Sequence, residues 1–184
     1  MVLTPSTRCP LGTKAPPFVL PDARGRMVCL DDFAEAPALL VVFWCNHCPF
    51  VKHIKGAVAD FAREYREKGL AIVAINSNDT EAYPQDSPQR MLEDIAAYRY
   101  TFDYLLDESQ AIARAYDAAC TPDFFLFDRD RKLAYHGQFD ASRPSNKAPI
   151  DGKDLRAAAD AVLAGKPAPA SQTPSIGCNI KWRA

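Results

Sequence analysis

Two runs of strand length, Ala38–Trp44 (ALLVVFW) and Leu70–Ile75 (LAIVAI), carry no charged residue. A strand with one wet face alternates apolar and polar residues. A run that is apolar throughout must be covered on both faces, as in the centre of a parallel sheet. Between the two runs, Val51, Ile54, Val58, Phe61 and Tyr65 recur at spacings of three and four, and Lys52, Lys55, Arg63 and Arg66 fall mostly off that stripe. This is the pattern of an amphipathic helix laid on a sheet. Pro49 suits its first turn and Gly69 its end. Residues 38–75 therefore read as a βαβ unit with a right-handed crossover.

The rest of the chain fits round that unit. Pro17–Leu20 and Met27–Leu30 read as a hairpin across the turn residues Asp22–Gly25. Residues 77–89 (SNDTEAYPQDSPQ) form a polar loop with two prolines. A helix over Pro88–Tyr98, a short strand within Thr101–Asp107 and a helix over Ser109–Ala118 follow. Asp107 and Gln110 have the spacing of a capping box for that last helix. Asp123–Phe127 and Lys132–His136 pair as an antiparallel hairpin, and Asp154–Leu163 is a final helix closed by Gly165 and Pro167. The expected fold class is α/β: a central mixed sheet flanked by helices, with an N-terminal β-hairpin. Residues 1–167 are expected to form the domain. Residues 168–184 are expected to form a tail without periodicity, one that can pack over an active site on that domain.

Composition excludes several classes. The formal net charge is −1, with acidic and basic residues interleaved, so no footprint for nucleic acid or an anionic membrane is present. No stretch approaches the ~20 apolar residues that span a bilayer. The opening residues MVLTPSTRCPLG lack the apolar centre of a secretory signal, so the expected location is cytoplasmic. Oligomeric state is not legible.

Six cysteines stand at 9, 29, 45, 48, 120 and 178, unevenly spaced in a chain too long to need a disulfide framework. The pair Cys45-Asn46-His47-Cys48 is the informative one. It lies where a central strand hands over to a helix, the edge at which open α/β sheets place their sites. Cys45 is expected at the helix N-terminus, where unpaired N–H groups and the dipole favour thiolate. His47, between the cysteines, adds a cationic neighbour. Two intervening residues keep the sulfurs within disulfide reach. On this reading Cys45 is the more exposed, attacking thiol, and Cys48, one turn inside, resolves the mixed disulfide.

The order of elements, the Phe43-Trp44-CxxC junction and Thr121-Pro122 before the antiparallel hairpin together resemble the thioredoxin fold. The hairpin extension is similar to its redoxin and peroxiredoxin-like (AhpC/TSA-like) branch. The resemblance spans roughly residues 10–165. It implies a thiol–disulfide oxidoreductase with no dissociable cofactor, only the redox-active disulfide Cys45–Cys48. Its partners would be protein or small-molecule disulfides and thiols, with an electron donor such as a reductase or glutathione. It also implies that Pro122 is cis, that the Thr121 backbone faces the substrate, and that Cys120 lies near the disulfide. Asn46-His47 replaces the Gly-Pro of thioredoxins, which leaves the potential open.

Two other readings stay open. Pro49 after Cys48 resembles a peroxiredoxin, although the hydroxyl expected three residues before the peroxidatic thiol is replaced by Cys45. A copper or zinc carrier is the other, but a structural zinc site needs four ligands and only one cysteine pair exists, so no metal ligands are assigned. Trp44 is expected to serve as both core and lid of the site. Cys120 and Cys178 are candidate additional redox thiols, with Cys178 a possible second resolving thiol. His53 reads as a surface histidine. Asp79, Tyr83 and Asp86 in the long loop could line a substrate groove, as could Asp140 and Arg143. Cys9 and Cys29 read as structural.

Overall fold

The computed structural model describes residues 3–183. Its centre is a five-stranded sheet in the order β6-β5-β4-β8-β9. The strands are β4 (Ala38–Phe43), β5 (Leu70–Asn76), β6 (Asp103–Leu106), β8 (Asp123–Phe127) and β9 (Leu133–Gly137). β4, β5 and β6 run parallel, β8 runs antiparallel to β4, and β9 runs antiparallel to β8. The sheet is mixed, as expected, and the βαβ unit supplies its middle.

Every residue of β4 is buried, which is why the run could be apolar throughout. Successive side chains point to opposite faces. Leu40, Val42 and Trp44 face one core with helix α1 (Pro49–Glu67), Met91 of helix α2 (Pro88–Tyr98), and Leu155 and Ala158 of helix α4 (Lys153–Leu163). Leu39, Val41 and Phe43 face a second core. It is closed by Leu20 of β2 (Val19–Pro21), Val28 of β3 (Met27–Cys29) and Ala113 of helix α3 (Ala111–Ala115). α1 buries Val51, Ile54, Val58, Phe61 and Tyr65, the stripe read from the sequence. Among the described residues no helix is long and apolar enough to cross a membrane.

α1 stops because Gly69 adopts φ +92°, a left-handed conformation that a side chain resists. A Cβ there would also lie 3.1 Å from Pro37. Gly69→Ala should therefore cost about 1–2 kcal/mol of unfolding free energy, measured by urea denaturation. A neutral or stabilising result would mean that this turn relaxes freely.

Three expectations need correction. α3 is shorter than Ser109–Ala118 and begins after Gln110, which itself has φ +62°. Asp107 does not close a capping box. Its carboxylate turns inward, accepting from Ser77 Oγ and the Ala113 N–H, both at 2.9 Å. The tail also has regular structure: β10 (Ile176–Asn179) lies between β1 (Leu3–Pro5) and β7 (Cys120–Thr121) in a small antiparallel sheet. Tertiary pairing, not local periodicity, makes these three short strands.

Candidate active site

β4 ends at Phe43, and the Trp44 N–H still reaches across the ladder to Ile75 O at 2.9 Å. The chain then leaves the sheet through Cys45, Asn46 and His47. The helix starts at Pro49, with Cys48 as its N-cap, at φ −61° and ψ 126°. This differs from the sequence expectation, which put Cys45 at the helix N-terminus and Cys48 inside. The cause is Pro49: its ring disfavours helical geometry in the residue before it, so Cys48 stays extended and the helix begins one residue later.

Four groups meet at this corner. Cys48 Sγ is 3.2 Å from Thr121 O, and Cys45 Sγ is 3.3 Å from Thr121 Oγ1. Cys178 Sγ, from β10, is 2.8 Å from Cys48 Sγ. The Thr121-Pro122 peptide bond is cis, as the resemblance implied. The expected exposure of Cys45 does not occur: Cys45 and Cys48 are each 0% exposed and Cys178 is 2% exposed. β10 covers Cys48, since it runs along β7 with Cys178 opposite Thr121 and against the Cys48 sulfur, and Cys45 is enclosed with Thr121 and Cys48 beside it.

The electrostatics separate the thiols. Cys48 is held down to about 5, first by the Cys45 thiol beside it and then, against the cost of burial, by Cys178 and the Val51 N–H. That N–H belongs to the first turn of the helix, whose backbone donors face the N-cap end, and Cys48 Sγ makes no full capping hydrogen bond there. Cys45 is pushed well up, by burial first, then by Cys48 and the Asp86 charge. Cys178 is pushed up to about 12 by burial and by Cys48. The surroundings thus favour thiolate on Cys48 over Cys45 and Cys178. Burial also raises Cys120, whose thiol is turned to Pro122 O at 3.6 Å.

Asn46 and His47 are fixed from below by Asp86, which is fully buried. Asp86 Oδ1 accepts the Asn46 N–H at 2.7 Å and the His47 N–H at 3.1 Å. Its Oδ2 lies 2.6 Å from His47 Nδ1 and accepts from Asn78 Nδ2 at 2.8 Å. Burial alone would raise this carboxyl, but the His47 and Asn78 side chains outweigh it and hold it below its ordinary value. His47 also stacks on Tyr83, with ring centroids 5.5 Å apart. Asn46 accepts from Tyr104 OH at 2.9 Å, and Lys55 Nζ donates to Asn46 O at 3.0 Å while pairing with Asp94. The motif's two middle residues are therefore anchored, and the loop that was expected to line a groove instead supports the CxxC turn.

The other expectations resolve as follows. Trp44 is wholly buried in the α1 core, so it is not an exposed lid. Asp79 gives its N–H to Lys181 O at 2.9 Å, tying the loop to the tail. Asp140 accepts from Ser142, Asp151 and Gly152, and Arg143 donates to Asp140 O, Ser142 O and Gln138. Both clip their own loop together. His53 is partly buried, with no hydrogen-bond partner on Nε2 among the described residues. A ligand-type atom of each of Cys45, His47 and Asp86 lies within 4.8 Å of the others, a trio that spacing could not reveal. The Asp86 oxygens in it are already occupied by four hydrogen bonds.

Comparison with known proteins follows the same lines. A hypothetical protein from Sinorhizobium meliloti 1021 is 56% identical, with a TM-score of 0.97 over 98% of this chain and 99% of that one. An uncharacterized conserved protein from Geobacillus kaustophilus is 51% identical, with a TM-score of 0.97 over 100% of this chain and 97% of that one. The thiol-disulfide oxidoreductase ResA of Bacillus thuringiensis subsp. konkukian (strain 97-27) is 25% identical over 130 residues, 71% of this chain and 70% of its own. The fold alone is shared with a putative thiol:disulfide interchange protein DsbE from Chlorobium tepidum. That pair is 23% identical, with a TM-score of 0.67 over 85% of this chain and 99% of the other. Residues 11–136 match the AhpC/TSA family, and with more than half its length inside that match, the chain belongs to the AhpC/TSA family.

Proposed function

We propose that this enzyme is a thiol–disulfide oxidoreductase in which Cys48 attacks and Cys45 resolves. A thiol redox role accords with membership of the AhpC/TSA family and with the similarity to ResA. The single observation that carries the finer reading is the N-cap position of Cys48, with Cys45 and Cys178 against it and the cis Thr121-Pro122 bond beside it. A thiolate is the nucleophile in disulfide exchange. Cys48 is favoured as that thiolate by the helix N-terminus and by two neighbouring thiols. This reverses the order expected from sequence.

The chemistry stays on sulfur. Cys48 thiolate attacks a substrate disulfide and expels one thiolate, forming a mixed disulfide. Cys45 then attacks Cys48 Sγ, releases the second thiol and leaves Cys45–Cys48 oxidised. Two electrons move, so no dissociable cofactor is required. The substrates in this reading are protein or small-molecule disulfides, and an external thiol or dithiol restores the pair. A reducing cytoplasm is the compartment that suits it.

The test is a pH titration of thiolate ultraviolet absorbance in the reduced protein. One thiolate should appear with a midpoint near 5, be lost in Cys48→Ser, and move to higher pH in Cys45→Ser, because the Cys45 thiol is its largest support. An acidic midpoint that survives Cys48→Ser would overturn the assignment.

A second reading has one observation in its favour: a low-pKa thiolate followed directly by Pro49, as in peroxiredoxins. It predicts rapid consumption of hydroperoxide that depends on Cys48. Slow consumption alongside fast disulfide exchange would remove it.

A further inference from the structure

β10 occupies an unusual place. Its backbone pairs with β7 so that Cys178 stands opposite Thr121 and Asn179 opposite Cys120. Thr121 is the residue whose carbonyl and hydroxyl face Cys48 and Cys45. The tail therefore presents a cysteine to the CxxC pair along an extended strand. The approach is close by design of the sequence: a Cβ on Gly177 would sit 1.9 Å from Thr121 O, so only glycine permits it. The far side of the strand is secured by β1, where Leu3, Thr4 and Pro5 pair with Cys178, Gly177 and Ile176. Beyond it, Lys181 N–H donates to Asn78 Oδ1 at 2.8 Å, and Arg183 N–H donates to Gln110 Oε1 at 2.9 Å. The tail is thus docked on both flanks of the site.

We propose that Cys178 is a third redox thiol, carried into the site on β10, which resolves mixed disulfides on Cys48 before Cys45 does. This rests on the oxidoreductase reading above and revises its second step: Cys178 releases the substrate thiol, and Cys45 closes the final disulfide. With Cys45, Cys48 and Cys178 buried, a foreign disulfide reaches Cys48 only when β10 lifts from Thr121. Cys48 thiolate attacks R–S–S–R′, the S–S bond breaks, and R′–S⁻ leaves. The strand then returns to β7. Cys178 attacks Cys48 Sγ, the Cys48–S–R bond breaks, and R–S⁻ departs with the proton that Cys178 gives up. Cys48–Cys178 forms, two cysteine thiols have been oxidised by two electrons, and R–S–S–R′ has become two thiols. Cys45 then exchanges onto Cys48, passes its proton to Cys178 and leaves Cys45–Cys48 for an external dithiol to reduce. Redocking gives Cys178 the advantage of an intramolecular reaction, since its strand pairing sets a high local concentration at Cys48.

The experiment uses the full chain, reduced and then mixed with oxidised glutathione, with quenching by alkylation and disulfide mapping by mass. In Cys45→Ser, Cys48 and Cys178 should end joined, with no glutathione retained and both glutathione thiols released. A persistent Cys48–glutathione adduct with Cys178 alkylated overturns the relay. In the otherwise unaltered chain, Cys178→Ser should slow loss of the Cys48–glutathione adduct by about tenfold or more, and an unchanged rate overturns the relay even if Cys45→Ser folds poorly. Gly177→Val in the Cys45→Ser background should trap the adduct, because the strand no longer reaches Thr121. Closure of Cys48–Cys178 at an undiminished rate there overturns docking as the device. If the unaltered chain never forms an adduct or disulfide at Cys48, the oxidoreductase reading itself fails and the relay falls with it. An adduct that forms on Cys48 but bypasses Cys178 sinks the relay alone.

Discussion

In a background carrying Cys9→Ser and Cys29→Ser, which removes the two partly exposed thiols, Cys48→Ser should reduce the rate of disulfide exchange by about four orders of magnitude or more, the scale seen when a catalytic nucleophile is removed. The readout is release of a coloured thiol from an aromatic disulfide under single-turnover conditions. Cys45→Ser should behave differently. Cys48 would still attack, so the first thiol is released at a rate near the parent's, adjusted for the higher pKa of an unsupported Cys48. The two variants thus separate attack from formation of the Cys45–Cys48 disulfide. If Cys45→Ser abolishes the first release and Cys48→Ser spares it, the helix N-cap argument fails and the order expected from the sequence returns.

Asp86→Ala should cost about 3–5 kcal/mol of unfolding free energy, because it strips a buried carboxylate from its partners and leaves the Asn46, His47 and Asn78 donors unpaired. Urea unfolding measures it. Asp86→Asn keeps the shape and removes the charge, so it isolates the pH dependence. The folded carboxyl lies below its ordinary value of 3.8. Its contribution is therefore fully present above the unfolded-state pKa and is lost as pH falls through the folded one. The stability gap between parent and Asp86→Asn should be constant near neutrality and close below about pH 4. A gap that persists unchanged into acid would show that Asp86 acts by shape alone.

These two residues differ in how they could be found. Cys48 is visible in the sequence, because a cysteine pair at a strand–helix junction points to redox chemistry. What the sequence misplaced is the helix start, expected at Cys45, and only the Cys48 backbone, held extended before Pro49, sets the N-cap. Asp86 was visible only as one acidic residue in a polar loop. No local pattern distinguishes an acid that faces water from one folded under a turn formed by Asn46 and His47, forty and thirty-nine positions away in the chain. Cys178 is an intermediate case. Its residue type raised the possibility, but Ile176–Asn179 has no alternation strong enough to mark a strand, and its partners β1 and β7 are three and two residues long.

The sequence by itself determined the sheet and its layers. Apolar runs such as ALLVVF can only be satisfied by cover on both faces, and the stripe from Val51 to Tyr65 can only be satisfied by a sheet beneath it. Those are short-range consequences of periodicity and burial, so they read directly along the chain. The tertiary structure alone decided which groups surround the CxxC thiols and which cysteine lies against Cys48. Both depend on groups far apart in sequence: Thr121, Asp86 and Cys178 reach the CxxC turn only when β7, the 77–89 loop and β10 have docked. A pKa and a sulfur–sulfur distance are properties of that assembled corner, and hydrophobic patterning carries no record of them.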